Sequence, residues 1–263
     1  MRIGLIGNHR AFAERLGEAG IDLVVHPAET ANKAGLDRSG IAIVDRYEAF
    51  FAELEHPRLF LLDLPLGAAI DRTIDEAYVT MEPGDVVLDP SGSYWGDTLR
   101  RFRRMRHRSL FYVDLALLGE IPTGIVLAAG DRRGIELATP FLERLARPDG
   151  VICAGGAGAA HYALMVRDAV ATSVVHALSE ARQLLEAYPN DPEPDAVAGA
   201  FWPAGPHPGP RASWVLDDAV RLEAAIPLLA QGIMLEIAHA LDEHRSREPA
   251  PRVGPFVHPD DIL

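Results

Sequence analysis

The sequence predicts an α/β fold, a doubly wound sheet followed by an all-helical carboxy-terminal region. Three observations carry this. Short apolar runs of strand length alternate with helical patterns through the first 154 residues. From Pro140 onward the character changes, and apart from one last apolar run at residues 150–154 only helix and loop patterns remain. A Gly/Ala-rich stretch, Ala154-Gly155-Gly156-Ala157-Gly158-Ala159-Ala160, then opens a long segment with apolar residues at helical spacing as far as Tyr188.

Taken in order, residues 2–7 form an apolar strand ending at Gly7. Residues 10–19 form an amphipathic helix with Phe12, Leu16 and Ala19 at helical spacing. Gly20 stops that helix, and Ile21-Asp22-Leu23-Val24-Val25 is a second strand. Strand, helix and strand within about 25 residues make a right-handed βαβ opening. Ile41-Ala42-Ile43-Val44, Leu59-Phe60-Leu61-Leu62-Asp63-Leu64 and Val86-Val87-Leu88-Asp89 continue the series, with a helix near residues 70–80. Leu110-Phe111-Tyr112-Val113-Asp114 and Gly124-Ile125-Val126-Leu127-Ala128 bracket a Gly/Pro turn at residues 119–122. The long helix ends near Tyr188-Pro189, and seven prolines between residues 189 and 210 forbid regular structure there. Residues 213–245 return to helix, with Leu216, Val220, Leu222, Ala225 and Ile226 on one side and a break at Pro227. The Pro-rich tail, residues 248–263, is expected to lie along another surface or to be loose.

At 263 residues, 48% of them apolar, the chain can bury a substantial core. No segment approaches the ~20 uninterrupted apolar residues of a membrane span. Met1-Arg2 leads straight into the first strand, too short for a secretory segment, so the expected location is the cytoplasm. A net charge of −13 argues against nucleic acid as a partner. Cys153 is the only cysteine, which excludes an intrachain disulfide or a thiolate metal cage; beside an apolar run it is expected to pack. His207, His239, His244 and His258 are scattered without the same-face spacing of a helical metal site, so no metal is expected.

One basic run interrupts the acidity: Arg100-Arg101-Phe102-Arg103-Arg104-Met105-Arg106-His107-Arg108. It reads as the solvated face of a helix, with Phe102 and Met105 inward. The alternative is a docking surface for an anionic ligand or partner.

A dinucleotide-binding turn reads G-x-G-x-x-G, for a tight turn, close approach to the pyrophosphate and helix–strand packing. The same positions here read Gly7-Asn8-His9-Arg10-Ala11-Phe12. The first glycine is present, while His9 projects toward the pyrophosphate and Phe12 pushes the helix off the strand. The second strand ends in Val24-Val25-His26-Pro27, without the acidic residue that would hold the ribose hydroxyls.

Several stretches together resemble the decarboxylating 6-phosphogluconate dehydrogenases and the wider β-hydroxyacid dehydrogenase family. Ile3-Gly4-Leu5-Ile6-Gly7 with Arg10 is similar to the family's opening strand and turn, and Leu64-Pro65-Leu66-Gly67 to its V-P-A-G turn. Glu82-Pro83-Gly84-Asp85-Val86-Val87-Leu88-Asp89 with Ser91-Gly92-Ser93-Tyr94 resembles P-G-D-I-I-I-D-G-G-N-S-Y, and Tyr112-Val113-Asp114 matches a family tripeptide. Residues 155–168 are close to G-P-A-G-A-G-H-F-V-K-M-V-H-N, and Ser213-Trp214-Val215 through Ala225-Ile226-Pro227 is similar to a later helix. The resemblance implies a Rossmann-like NAD(P)-binding domain over residues 1–154. It also implies a reduced helical domain over 155–263, serving substrate binding and dimerisation and carrying the Pro-rich loop 189–210. NAD or NADP is then held by Gly7, Asn8, His9, Arg10, Leu64, Pro65 and Gly67. A small-molecule substrate would meet Ser91, Ser93 and Arg167, in a homodimer.

The departures from the family pattern matter as much. The family's acid/base lysine falls on Leu164, its glutamate on Ala171 and the asparagine before the serine on Gly92. Its S-G-G substrate loop is replaced by Leu115-Ala116-Leu117-Leu118-Gly119, and Asp168 stands for a substrate-facing asparagine. Oxidising an alcohol needs a base within reach of the hydroxyl proton, and leucine cannot serve. The polar groups left are His161, Asp168 and Tyr94. His161 and Asp168 share a helix face across two turns and could do acid/base work; alternatively the histidine is satisfied locally and the aspartate faces solvent. Three functions stay open: an NAD(P)-linked oxidoreductase using non-lysine chemistry, a catalytically silent ligand-binding or partner scaffold, and a non-redox enzyme using His161 and Asp168.

Overall fold

The structure, a computed structural model, describes residues 2–7, 10–27, 42–186, 193, 211–221 and 226–247. The chain divides into two compact units, Met1–Val166 and Arg167–Leu263.

The first unit is built on one sheet of eight strands in the order β3-β2-β1-β4-β5-β6-β7-β8. These are β1 (Arg2–Gly7), β2 (Asp22–His26), β3 (Ala42–Ile43), β4 (Leu59–Asp63), β5 (Val86–Asp89), β6 (Phe111–Leu118), β7 (Ile125–Gly130) and β8 (Val151–Gly155). All neighbours run parallel except β6 and β7, an antiparallel pair joined across residues 119–124. The strand order reverses direction at β1, which lies between β2 and β4.

Both faces of the sheet are buried, so the strands read as continuous apolar runs. Period-two alternation sorts them. Ile3, Leu5, Leu61, Val86, Leu88, Val113 and Leu115 enter one core, with Ala13 and Leu16 of α1 (Arg10–Glu18) and Phe141 and Leu142 of α5 (Arg132–Leu142). Ile6, Val24, Phe60, Leu62, Val87 and Tyr112 enter the other core. It is covered by α2 (Tyr47–Ala52), α3 (Ala68–Ala77) and α4 (Trp95–Arg106) through Phe50, Phe51, Ile70, Ile74 and Met105. This is the doubly wound sheet that the alternating pattern predicts.

Three expectations need correction. β6 does not stop at Asp114: Leu115–Leu118 stay extended, each paired with β7, because their alternation continues the strand pattern. Cys153 is exposed rather than packed, because β8 is an edge strand, and its neighbour Ile152 is 46% exposed. Arg101, read as solvated, is 2% exposed and lies on the buried stripe of α4 with Thr98 and Met105.

The second unit begins within α6 (Ala159–Glu186) and contains α7 (Trp214–Arg221) and α8 (Pro227–Arg247). α6 and α8 cross closely: a Cβ on Gly232 would lie 2.8 Å from Ser173 Oγ. Val220, on the apolar side read from the sequence, is 80% exposed, and α7 buries Val215 and Asp218. Pro227 opens α8, where its missing N–H has no helical partner to lose. Leu222, Ala225, the tail and all of the Pro-rich loop except Glu193 lie outside the described residues. No helix among the described residues is long and apolar enough to cross a membrane.

Candidate active site

In open α/β sheets ligands bind beyond the carboxyl ends of the strands, where the strand order reverses. Here that crevice lies beyond β1 and β4. Gly7 ends β1 beside Asp63, and a Cβ there would fall 2.2 Å from the Asp63 carbonyl oxygen, so only glycine fits. Arg10 opens α1, whose amino end meets the crevice; Asn8 and His9 lie outside the described residues. Phe12 packs at the margin of the first core.

After β4, Leu64 is buried, and Pro65 and Gly67 are exposed in the turn that leads to α3. Gly67 adopts φ +93 with nothing within 4 Å of where its side chain would stand. Bare backbone facing open space is what close approach of a phosphate or ribose requires. At the end of β2, His26 is buried against Tyr47, ring centroids 4.1 Å apart, and bonds the Val44 carbonyl through Nδ1.

The loop after β5 is organised by Asp89. Its Oδ1 accepts from the Ser91 N–H at 2.9 Å and its Oδ2 from the Tyr112 hydroxyl at 2.5 Å. The Ser91 and Ser93 hydroxyls are 2.8 Å apart. Arg101 then ties two loops together, donating from Nη1 to Ser93 Oγ at 2.8 Å and from Nη2 to the Gly67 carbonyl at 3.4 Å. Nε and Nη2 also grip Asp71 in the first turn of α3, at 3.0 and 3.2 Å. Burial opposes the Arg101 charge, but Asp71 together with the neighbouring Tyr112 and Asp89 outweighs it and holds the guanidinium pKa above its ordinary value. Burial likewise pushes Asp71 upward, yet hydrogen bonds from Arg101 and Arg100 overcome it and hold its carboxyl at about 2.

The amino end of α6 is fixed by Asp114, which ends the β6 tripeptide. Its carboxylate accepts from the N–H groups of Gly158 (2.8 Å), Ala160 (3.0 Å) and His161 (3.2 Å). Three orphan donors of the helix start are thereby satisfied. Burial raises the Asp114 pKa, with His161 and the backbone donors pulling the other way. His161 is fully buried, and both ring nitrogens are engaged: Nε2 with the Asp89 carbonyl at 3.0 Å and Nδ1 with Thr98 Oγ1 at 2.7 Å. A carbonyl only accepts, so Nε2 carries the proton. Tyr94, half-buried at the start of α4, neighbours Trp95, which meets Tyr162 edge-on.

Leu164 sits in an apolar cluster with Ala116, Ala129 and Ala160, and is 7% exposed. Where the resemblance implies a lysine, this chain has a packed hydrocarbon. In the second unit, the buried Asp168 carboxylate is held by Arg211 Nε at 2.9 Å and by Arg167 Nη1 at 3.4 Å. Burial raises its pKa against the pull of both arginines.

The structure therefore gathers Ser91, Ser93 and His161 around Asp89, and joins Arg167 to Asp168. Asp89, Arg101 and Asp114 were not singled out by sequence reasoning. The available signal was an aspartate closing each of two apolar runs, since charge at a strand's carboxyl end calls for a partner.

Residues 2–158 match the NAD binding domain of 6-phosphogluconate dehydrogenase. The chain belongs to that family. It is 22% identical over 282 residues to the protein named "Putative 6-phosphogluconate dehydrogenase YqeC" of Bacillus subtilis (strain 168), covering 92% of this chain and 93% of that one. It is 29% identical over 146 residues to the decarboxylating 6-phosphogluconate dehydrogenase of Bacillus licheniformis, but spans 31% of that protein's length and 52% of its own. Among solved structures, the Mycobacterium tuberculosis 3-hydroxyisobutyrate dehydrogenase, described with L-serine, shares the fold. Its TM-score is 0.73 at 19% identity, covering 92% of this chain and 94% of that one.

Proposed function

We propose that this family member is an NAD(P)-linked oxidoreductase acting on a small molecule in the cytoplasm, by proton chemistry that uses no lysine. The observation that carries the reading is the crevice beyond β1 and β4, where Gly7 is sterically required and the Gly67 turn presents bare backbone to open space. Such a frame suits a dinucleotide. When bound, the nicotinamide supplies or accepts a hydride. Gly7, Leu64, Pro65 and Gly67 line its approach, with Asn8, His9 and Arg10 assigned by motif alone, and Ser91 and Ser93 held beside it by Arg101. By motif position alone we assign proton transfer to Asp168 and substrate binding to Arg167. Tyr94 is a second donor, and His161, saturated by Thr98 and Asp89, acts as a positioning residue. A homodimer formed through α8 accounts for the exposure of Leu228 (70%) and Met234 (63%).

Isothermal titration of the full chain with NADPH and with NADH tests the reading, and saturable binding of either is expected. No heat from either at about millimolar cofactor sinks it. A second reading, a catalytically silent dinucleotide-binding scaffold, is favoured by the packing of Leu164 among Ala116, Ala129 and Ala160. Turnover of cofactor with any hydroxy acid or imine, lost in Asp168→Asn, would reject that alternative.

A further inference from the structure

Residues 100–108 hold six arginines and one histidine. Four of the arginines have internal partners. Arg100 pairs with Asp71 and Asp97, and Arg101 is buried on Asp71 and Ser93. Arg104 pairs with Asp75 and lies over the Tyr78 ring, and Arg108 donates to the carbonyls of Tyr78 and Met81. Arg103, Arg106 and His107 remain. Among the described residues none of these three takes an ion-pair partner; the Arg106 guanidinium rests over the Phe102 ring at 5.6 Å.

These three residues stand at i, i+3 and i+4 at the end of α4 and together line one open depression of about 400 Å³. Like charges at that spacing repel along a helix. The helix carboxyl end offers only roughly half a negative charge, shared here with Arg104, so it does not neutralise the group. Arg103 and Arg106 border one hollow with no carboxylate among its lining residues, a half-built ion pair that an external anion can complete.

We propose that this depression binds a small phosphorylated molecule, with Arg103 and Arg106 on the phosphate and His107 at its side. A hollow of this size suits a small ligand. The chain's net charge of −13 repels a long polyanion while leaving a local site for a compact one. α4 runs from the carboxyl end of β5 back to the amino end of β6, so its last turn lies at the amino ends of the strands, opposite the carboxyl ends where the β1–β4 crevice opens. The depression is therefore separate from the crevice beyond β1 and β4.

The test is calorimetric titration of inorganic pyrophosphate into the full chain, its Arg103→Ala/Arg106→Ala variant and its Arg103→Lys/Arg106→Lys variant. Saturable binding to the wild type, weakened at least about tenfold in the alanine variant and kept in part by the lysine variant, is the expected result. The substituted side chains are exposed, and circular dichroism checks that the fold is retained. Equal binding by wild type and alanine variant overturns the proposal, because pyrophosphate would then be seated elsewhere. So does the absence of saturable binding up to about 10 mM.

Discussion

Arg101 and Asp71 form a two-armed ion pair, Nε to Oδ1 at 3.0 Å and Nη2 to Oδ2 at 3.2 Å, with the arginine 2% exposed. The same guanidinium reaches Ser93 and the Gly67 carbonyl, so one side chain joins the loops after β4 and β5. Removing it leaves Asp71 without that partner and a cavity beneath the crevice. Arg101→Met is expected to lower unfolding free energy by about 3 kcal/mol, read by urea denaturation.

Asp71 also sets an acid limb. Its folded-state pKa of about 2 lies below the ordinary 3.8, so its pairing adds stability above 3.8 and loses it as pH falls toward 2. Thermal melts between pH 5 and pH 2 therefore fall less steeply for Asp71→Asn than for the wild type. Equal slopes would mean that Asp71 is not the titrating partner.

The three N–H groups held by Asp114 lose their acceptor in Asp114→Ala. A loss of about 2 kcal/mol is expected, with faster amide exchange at Gly158, Ala160 and His161. Exchange unchanged at these three amides would show that the carboxylate does not hold the helix start.

Leu164 behaves as core. Leu164→Ala is expected to cost about 2–3 kcal/mol through cavity formation. Leu164→Lys places an ammonium among alanines and destabilises the first unit at neutral pH. A fully stable lysine variant would show that the site still accommodates the family's base.

Much of the sheet was legible, because strands buried on both faces are written as short apolar runs with glycine and proline between them. The continuation of β6 through Leu115–Leu118 was harder to see, since it is paired only with a strand running the other way. Arg101 was hidden by its neighbours: within a run of arginines nothing local distinguishes the one that points inward. Thr98 and Met105 give the phase of the buried stripe in retrospect. Its partner Asp71 is 30 residues away in the chain. The roles of Asp89 and Asp114 likewise depend on Tyr112 and on the α6 backbone, which only the folded chain brings to them.

On the reading proposed above, the crevice beyond β1 and β4 receives a dinucleotide against the Gly67 turn. Comparing NADPH affinity of the wild type with that of Gly67→Val tests it most directly. The φ of +93 and the open space at Gly67 make a β-branched side chain both strained there and obstructive to a ligand. Saturable binding to the wild type that weakens at least about tenfold in the variant, with the fold intact by circular dichroism, is the expected result. Equal affinity in the two proteins, or no binding to the wild type, would contradict it.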